Sequence, residues 1–274
     1  MVKIQTKFTR TYFLFYKKVL LDNAILIANF VVICYNKNMN LTNQDIKNLK
    51  DKKYRREHNL FMVEGNKFCK DLLNTDIEIL YTLTCDKNLT GFPNIEVISE
   101  KMLSSLATTK TSQEIVCICK VKDYGIDSIG NSLILDNLQD PGNVGTLVRS
   151  ALAFGFEDIY LVGGADPYSE KVIRSSVGTI LKARLHICDF NTLKQNLDKI
   201  AKNILVADMD GENIDKIRLP KSRIAVIIGN EGQGVSDEFI SLANTKISIP
   251  MSAKVESLNA GVAGSIIMQK IGEV

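Results

Sequence analysis

The sequence predicts two α/β units in tandem, a small mixed one and a larger one built on a parallel sheet. Its 274 residues, 45% of them apolar, suffice to fill two separate cores. From Leu133 to the C-terminus short apolar runs alternate with helical patterns, and a parallel sheet covered on both faces reads in this way. Between the halves, Lys122 to Asn131 carries two glycines and three charges and reads as a linker. The units are accordingly placed at 39–121 and 131–274, joined by 122–130.

Thr42 with Asp45 three residues on has the spacing of a capping box, and Ile46 and Leu49 recur at helical period. A helix is expected from about Asn43 to Glu57. Leu60–Val63 follows as a strand, Glu64-Gly65 as a turn and Asn66–Leu73 as a helix. The runs Glu78–Thr84, Ile95–Ile98 and Glu114–Val121 are strand-like, with a helix opened by Ser99. In the second half the expected strands are Leu133–Asp136, Ile159–Val162, Leu185–Cys188, Ile204–Ala207 and Ile224–Ile228. Helices are expected from Asn143, near Glu170–Ser176, through Ile200 and, apolar throughout, over Leu258–Ile271.

Residues 1–38 stand apart. Ala24 to Tyr35 (AILIANFVVICY) is apolar and follows a Lys-rich stretch, yet it is too short to span a bilayer and no small-residue cleavage pattern follows it. No membrane anchor is expected. Met39 opens a stretch that reads as a complete protein start, so 1–38 are treated as a leader outside the fold.

The net charge of +3 divides unevenly. Lys3, Lys7, Arg10, Lys17, Lys18 and Lys37 against Asp22 give the leader +5 and leave the rest at −2. A nucleic-acid enzyme of that charge must concentrate its cations locally. Lys47, Lys50, Lys52, Lys53, Arg55 and Arg56, opposed only by Asp51, form such a patch, the plain alternative being an ordinary solvated helix face. The six cysteines (34, 69, 85, 117, 119 and 188) show no C-x-x-C spacing, and His58 and His186 are the only histidines. Neither a metal site nor a disulfide framework is expected, and reduced thiols point to the cytoplasm.

Three segments carry chemistry. The first, LDNLQDPGNVGTLVRSALAFG (Leu135–Gly155), is a strand, a sharp turn and a helix that Asn143 can cap. By itself it is a capped βα junction with Arg149 as a snorkelling surface residue. The second, AVIIGNEGQGVS (Ala225–Ser236), runs a buried strand into Gly229, Gly232 and Gly234. Its spacing matches neither the dinucleotide fingerprint nor the phosphate loop, and Glu231 within it would repel a pyrophosphate. The third, ISIPMSAKVESLNAGVAGSIIMQKI (Ile247–Ile271), leads through a proline turn into a helix rich in small residues, where Ser257 and Asn259 read equally as mere N-caps or as functional groups.

In this order the three segments resemble the SPOUT superfamily of RNA methyltransferases, specifically its TrmH or SpoU branch of tRNA and ribosomal RNA ribose 2′-O-methyltransferases. The resemblance covers 131–274 through N-x-G-x-x-x-R (Asn143, Gly145, Arg149), G-N-E-G-x-G (Gly229–Gly234) and I-P-M with S-L-N (Ile249–Met251, Ser257–Asn259). KKYRREHNLFMVEGNKFCKDLL, within 39–120, resembles the L30e-like substrate-binding domain that precedes the catalytic domain in many of these enzymes. The resemblance implies a deep trefoil knot near the C-terminus, S-adenosyl-L-methionine as cofactor, no metal, and a homodimer whose interface lies beside the cofactor pocket. It also implies that Gly229, Ile249 and Leu258 touch the cofactor, with Asn230, Gly232 and Met251 beside them.

Arg149 matches the family's essential arginine. A guanidinium pKa above about 12 makes a neutral arginine base scarce. Arg149 is therefore expected to polarise the 2′-oxygen and pin the adjacent phosphate, with Asn143, Glu231, Ser257 and Asn259 orienting it. Lys50, Lys52, Lys53, Arg55 and Arg56 are expected to bind RNA, ribosomal RNA being favoured over tRNA because the N-terminal unit resembles a ribosomal-protein-like RNA binder. Two rivals are weaker. A non-catalytic ribosome-assembly factor would have no need of the intact polar set, and a nicotinamide or flavin oxidoreductase lacks its glycine fingerprint.

Overall fold

A computed structural model describes residues 41–107, 114–252 and 254–272. The leader and Met39 lie outside the described residues. The chain divides into two compact units. The first takes in the described residues up to Cys69 and Ile79–Lys120, and the second Lys70–Glu78 and the chain from Val121 onward.

In the first unit, α1 (Asn43–Asn48) and α2 (Lys52–His58) replace the single helix expected there. Asp51 is the cause, since its carboxylate accepts from Tyr54 N–H and starts a new helix. The capping box at Thr42 and Asp45 forms, with Asp45 N–H donating to Thr42 Oγ1 at 3.2 Å and Thr42 N–H to Asp45 Oδ2 at 2.7 Å. Tyr54 Oη donates to Asp45 Oδ1 at 2.7 Å and ties α2 back to α1. Then come β1 (Leu60–Glu64), α3 (Asn66–Leu72, whose residues from Lys70 are counted with the second unit), β2 (Ile79–Thr84), β3 (Ile95–Val97), α4 (Glu100–Leu106) and β4 (Ile115–Lys120). The sheet order is β1-β4-β2-β3, antiparallel except for the β2–β3 pair. Leu83 and Ile118 of the sheet pack with Ile46, Leu49, Leu103 and Leu106 of the helices into one core.

The second unit holds β5 (Asn131–Asp136), α5 (Pro141–Ala153), β6 (Phe156–Val162), α6 (Glu170–Ser175), a 3-10 turn over Thr179–Lys182 and β7 (Arg184–Cys188). It continues with α7 (Phe190–Gln195), α8 (Leu197–Ile200), β8 (Asn203–Asn213), β9 (Ile224–Ile228), α9 (Asp237–Ile240), β10 (Thr245–Ser248) and α10 (Ala260–Gly272). The helix expected through Ile200 is thus broken at Asn196. All six strands are parallel, in the order β10-β8-β9-β5-β6-β7. Strands β5, β6 and β7 build outward in one direction, after which the chain returns to add β8 and inserts β9 between β8 and β5. The C-terminal ends of β5 and β9 lie side by side where that reversal occurs, which is where ligands bind in open parallel sheets.

At the other end, Asp158 of β6 is fully buried and accepts from His186 Nε2 at 2.9 Å, Arg184 Nε at 2.7 Å and Ile129 N–H at 2.9 Å. Burial alone would raise its pKa, but these donors hold it below the usual carboxylate range.

Candidate active site

The segment between β5 and α5 is anchored from two sides. Asn137, in the left-handed region at φ 51°, accepts from Gly164 N–H at 3.1 Å, and Ala165 N–H donates to Leu138 O at 2.8 Å, so the loop after β6 buttresses it. From the other side the loop after β9 reaches across. Glu231 Oε2 accepts from Gln139 N–H at 3.2 Å, and its Oε1 accepts from Asp140 N–H and from Asn143 Nδ2, both at 3.0 Å. Asn230 Nδ2 donates to Asn137 O at 3.0 Å.

Asp140, not Asn143, caps α5: its Oδ1 accepts from Gly142 N–H at 3.0 Å, and Pro141 takes the first helical turn where its missing N–H costs nothing. Asn143 is freed by this for another task. It is 6% exposed inside the first turn and its Oδ1 accepts from Asn259 Nδ2 at 2.8 Å. Asn259 Oδ1 in turn accepts from Val262 N–H at 3.2 Å at the start of α10. Glu231, Asn143 and Asn259 therefore form one chain of hydrogen bonds joining three segments distant in sequence. Burial raises the Glu231 pKa, but the Asn143 amide and the Asp140 and Gln139 amides outweigh it and hold the carboxyl below its ordinary value. With both oxygens engaged, the Glu231 carboxylate holds the loops together.

Arg149 lies on α5 six residues beyond Asn143, about 9 Å along the helix axis. It is exposed, and among the described residues it has no hydrogen-bond or ion-pair partner. Gly229 ends β9 under the tight loop in which Asn230 and Gly234 bond reciprocally at 2.9 Å. A Cβ at Gly229 would stand 2.2 Å from the Gly234 carbonyl carbon. The loop itself demands glycine there, a stronger reason than approach to a ligand. A Cβ at Gly232 would meet only Asn230 Oδ1, at 3.7 Å.

A cleft opens one strand further out. Between β8 and β10 the pairing steps from Val206–Lys246 directly to Glu212–Ile247, so residues 207–211 bulge away from the sheet. Ala207, Met209, Ile249, Met251, Ser257 and Leu258 line the space so formed, with Asp208 at its side held to Lys246 at 2.7 Å. Ile249, Met251 and Leu258 thus line one cleft together with Ser257, which stands there apart from the bonded chain of Glu231, Asn143 and Asn259 with which the sequence groups it. Gly229, Asn230 and Gly232 are not among the cleft residues and belong to the neighbouring loop. Ala207, Asp208 and Met209 are not legible as site residues in the sequence, because only the strand register creates the bulge.

In the first unit Lys47, Lys50, Lys52, Lys53 and Arg56 are exposed. Lys50 Nζ donates to Ala107 O at 2.8 Å and Ser105 O at 3.3 Å, and Lys53 lies 3.8 Å from Glu57. Arg55 departs from the expected patch. It is 8% exposed and its Nη1 donates to Leu49 O at 2.6 Å, where it serves the α1–α2 corner and cannot reach a phosphate in this arrangement.

The sequence profile described as the SpoU rRNA Methylase family matches residues 130–269. This chain belongs to that family. Residues 40–117 match the profile described as the MRM3-like substrate binding domain. Among curated relatives, the 23S rRNA (guanosine(2553)-2′-O)-methyltransferase RlmP of Bacillus subtilis is 29% identical over 82% of this chain and 93% of its own. A solved structure of a putative RNA methyltransferase of the TrmH family from Porphyromonas gingivalis is 26% identical, with a TM-score of 0.73 over 83% of this chain and 95% of that one. The AdoMet-bound rRNA methyltransferase from Sinorhizobium meliloti, at 24% identity, shares the fold with a TM-score of 0.73 over 85% of this chain and 95% of that one. Among the described residues no helix is long and apolar enough to cross a membrane, and no group of His, Cys, Asp or Glu is placed to hold a metal ion.

Proposed function

We propose that this SpoU-family protein transfers the methyl group of S-adenosyl-L-methionine to a ribose 2′-hydroxyl of ribosomal RNA. The observation that carries the reading is the Glu231–Asn143–Asn259 chain at the reversal of the sheet, with the exposed, unpaired Arg149 on the same helix. The cleft suits the cofactor. Its walls are mostly apolar, as a site that buries a small organic ligand requires, and the 207–211 bulge opens the space between β8 and β10. When bound, S-adenosyl-L-methionine supplies a methyl group on a positively charged sulfur. Ile249, Met251 and Leu258 hold it, while Gly229, Asn230 and Gly232 shape the adjoining loop.

Arg149 draws the 2′-oxygen and its neighbouring phosphate into line and stabilises charge on that oxygen as its proton passes to solvent water. Asn143, Glu231 and Asn259 position α5 and α10 around that point, and Ser257 presents its hydroxyl at the cleft edge. Glu231 is held as a carboxylate whose two oxygens already accept three N–H groups, which argues for a positioning role over that of proton acceptor.

The RNA is gripped by Lys50, Lys52, Lys53 and Arg56, joined by Lys47, on an L30e-like substrate domain at 39–121, with 122–130 as linker. The resemblance to a 23S rRNA 2′-O-methyltransferase over nearly the whole relative favours ribosomal RNA over tRNA. A trefoil knot is supported by the path of the C-terminus: from the edge strand β10 the chain returns to the centre, where Asn259 reaches Asn143 and Ser265 Oγ meets Ser150 Oγ at 2.7 Å. Met251, Val255 and Val262, exposed apolar residues near the cleft, suit the interface of a homodimer. The action is placed in the cytoplasm, where ribosomal RNA and the cofactor occur together.

Calorimetric titration with S-adenosylhomocysteine, paired with radiolabelled methyl transfer to purified ribosomal RNA and tRNA, tests the reading. Micromolar binding, with label in ribosomal RNA that resists alkaline cleavage at the modified ribose, is expected. Binding of NAD instead, or binding without transfer to any RNA, contradicts it, and label in tRNA alone moves the substrate.

A further inference from the structure

The end of α6 presses on the helix that carries Arg149. Ser175 Oγ donates to Pro141 O at 2.8 Å, at the first residue of α5, and also approaches Val172 O at 3.1 Å. One turn on, a Cβ at Gly145 would stand 2.0 Å from Ser175 Oγ and 2.6 Å from Ser176 N, so the two helices touch backbone to backbone. Gly145 and Arg149 are four residues apart and share a face of α5. The contact that fixes the azimuth of α5 is therefore on the side that presents Arg149.

The α6 end is itself built to stay in place. Gly178 N–H donates to Ile173 O at 2.8 Å and Val177 N–H to Arg174 O at 2.9 Å, the paired bonds of a Schellman cap. The left-handed position of that cap, at φ 55°, is held by Val177, where a β-branched side chain is strongly disfavoured and glycine is usual. Such a conformation persists only where the surroundings impose it.

We infer that Ser175 is a positioning residue for the methyl transfer: its hydroxyl locks the first turn of α5 against the α6 cap and so sets where the Arg149 guanidinium stands. This rests on the methyltransferase reading above. The inference is distinct from the Glu231 clamp, which holds the same loop from the opposite side. Removing a single hydroxyl leaves the backbone contact of Gly145 with Ser175 and Ser176 in place, so Ser175→Ala is expected to fold.

The test compares Ser175→Ala, Arg149→Lys and the double variant in the full chain. Ser175→Ala should lower kcat about tenfold or more, as small misplacements of reacting groups do, with KM for RNA and affinity for S-adenosylhomocysteine within twofold. In the Arg149→Lys background the same change should have little further effect, because the two residues act through one geometry. Unchanged kcat, an equal loss in both backgrounds, or lost cofactor binding each overturns the inference. Hydrogen exchange supplies a readout that needs no activity: the amides of the first turn of α5 should exchange faster in Ser175→Ala, and equal rates refute the lock. A wild-type chain with no transfer activity sinks the functional reading alone, and the exchange result still decides the lock.

Discussion

Glu231 ties the loop after β9 to the turn between β5 and α5. In the fold it receives three N–H groups from one turn. Because its folded pKa is depressed, the clamp is complete at neutral pH and weakens only as the pH falls below the ordinary glutamate range, about 4.3. Glu231→Gln offers one oxygen where two were needed and sets an NH2 against a backbone N–H. It should reduce kcat at every pH between 6 and 9, by roughly tenfold or more, without altering the shape of the pH-rate profile. A wild-type profile with an apparent pKa near neutral that disappears in the variant would make Glu231 the base and leave Arg149 a smaller part. The motif singles out Asn143, but the cap is Asp140 for a simple reason: Asp140 stands at the non-helical position where a side chain can reach back, and Asn143 is already inside the turn.

At the scale of elements, periodicity locates nearly every strand because the buried runs of both sheets are continuous and apolar. Helix ends are harder. The break between α1 and α2 depends on Asp51 as a local cap, and a run of cations around it masks that signal. The same break turns Arg55 inward, so the patch facing solvent is Lys47, Lys50, Lys52, Lys53 and Arg56. Reversing Lys47, Lys52, Lys53 and Arg56 to Glu should weaken RNA binding and flatten the dependence of log affinity on log salt, by a little under one unit for each phosphate no longer neutralised. Cofactor affinity should stay the same. Fluorescence anisotropy with a labelled ribosomal RNA fragment at several salt concentrations measures this, and an unchanged slope would remove the first unit from substrate recognition.

For the whole molecule, alternation announces a parallel sheet but cannot give its order. That order depends on where the chain returns after β7, and the insertion of β9 beside β5 is a tertiary choice with no local signal. It is this choice that brings Glu231 to Asn143, 88 residues away, and the C-terminal helix to the same place, with Asn259 reaching Asn143 from 116 residues away. The motif residues are therefore legible as a set, while their division into a clamp (Glu231, Asn143, Asn259), a cleft (Ile249, Met251, Ser257, Leu258) and an exposed cation (Arg149) is not. The central claim is that these parts together methylate a ribose. Its most direct test is transcript-wide mapping of 2′-O-methyl groups in cells that carry the gene, lack it, or carry Arg149→Ala. One ribosomal RNA position should be methylated with the wild type, unmethylated without it, and unmethylated with Arg149→Ala even though the variant still binds S-adenosylhomocysteine within about threefold of the wild type, the result expected of a group that acts only on the RNA side of the site. A methylation map identical in all three would contradict the account.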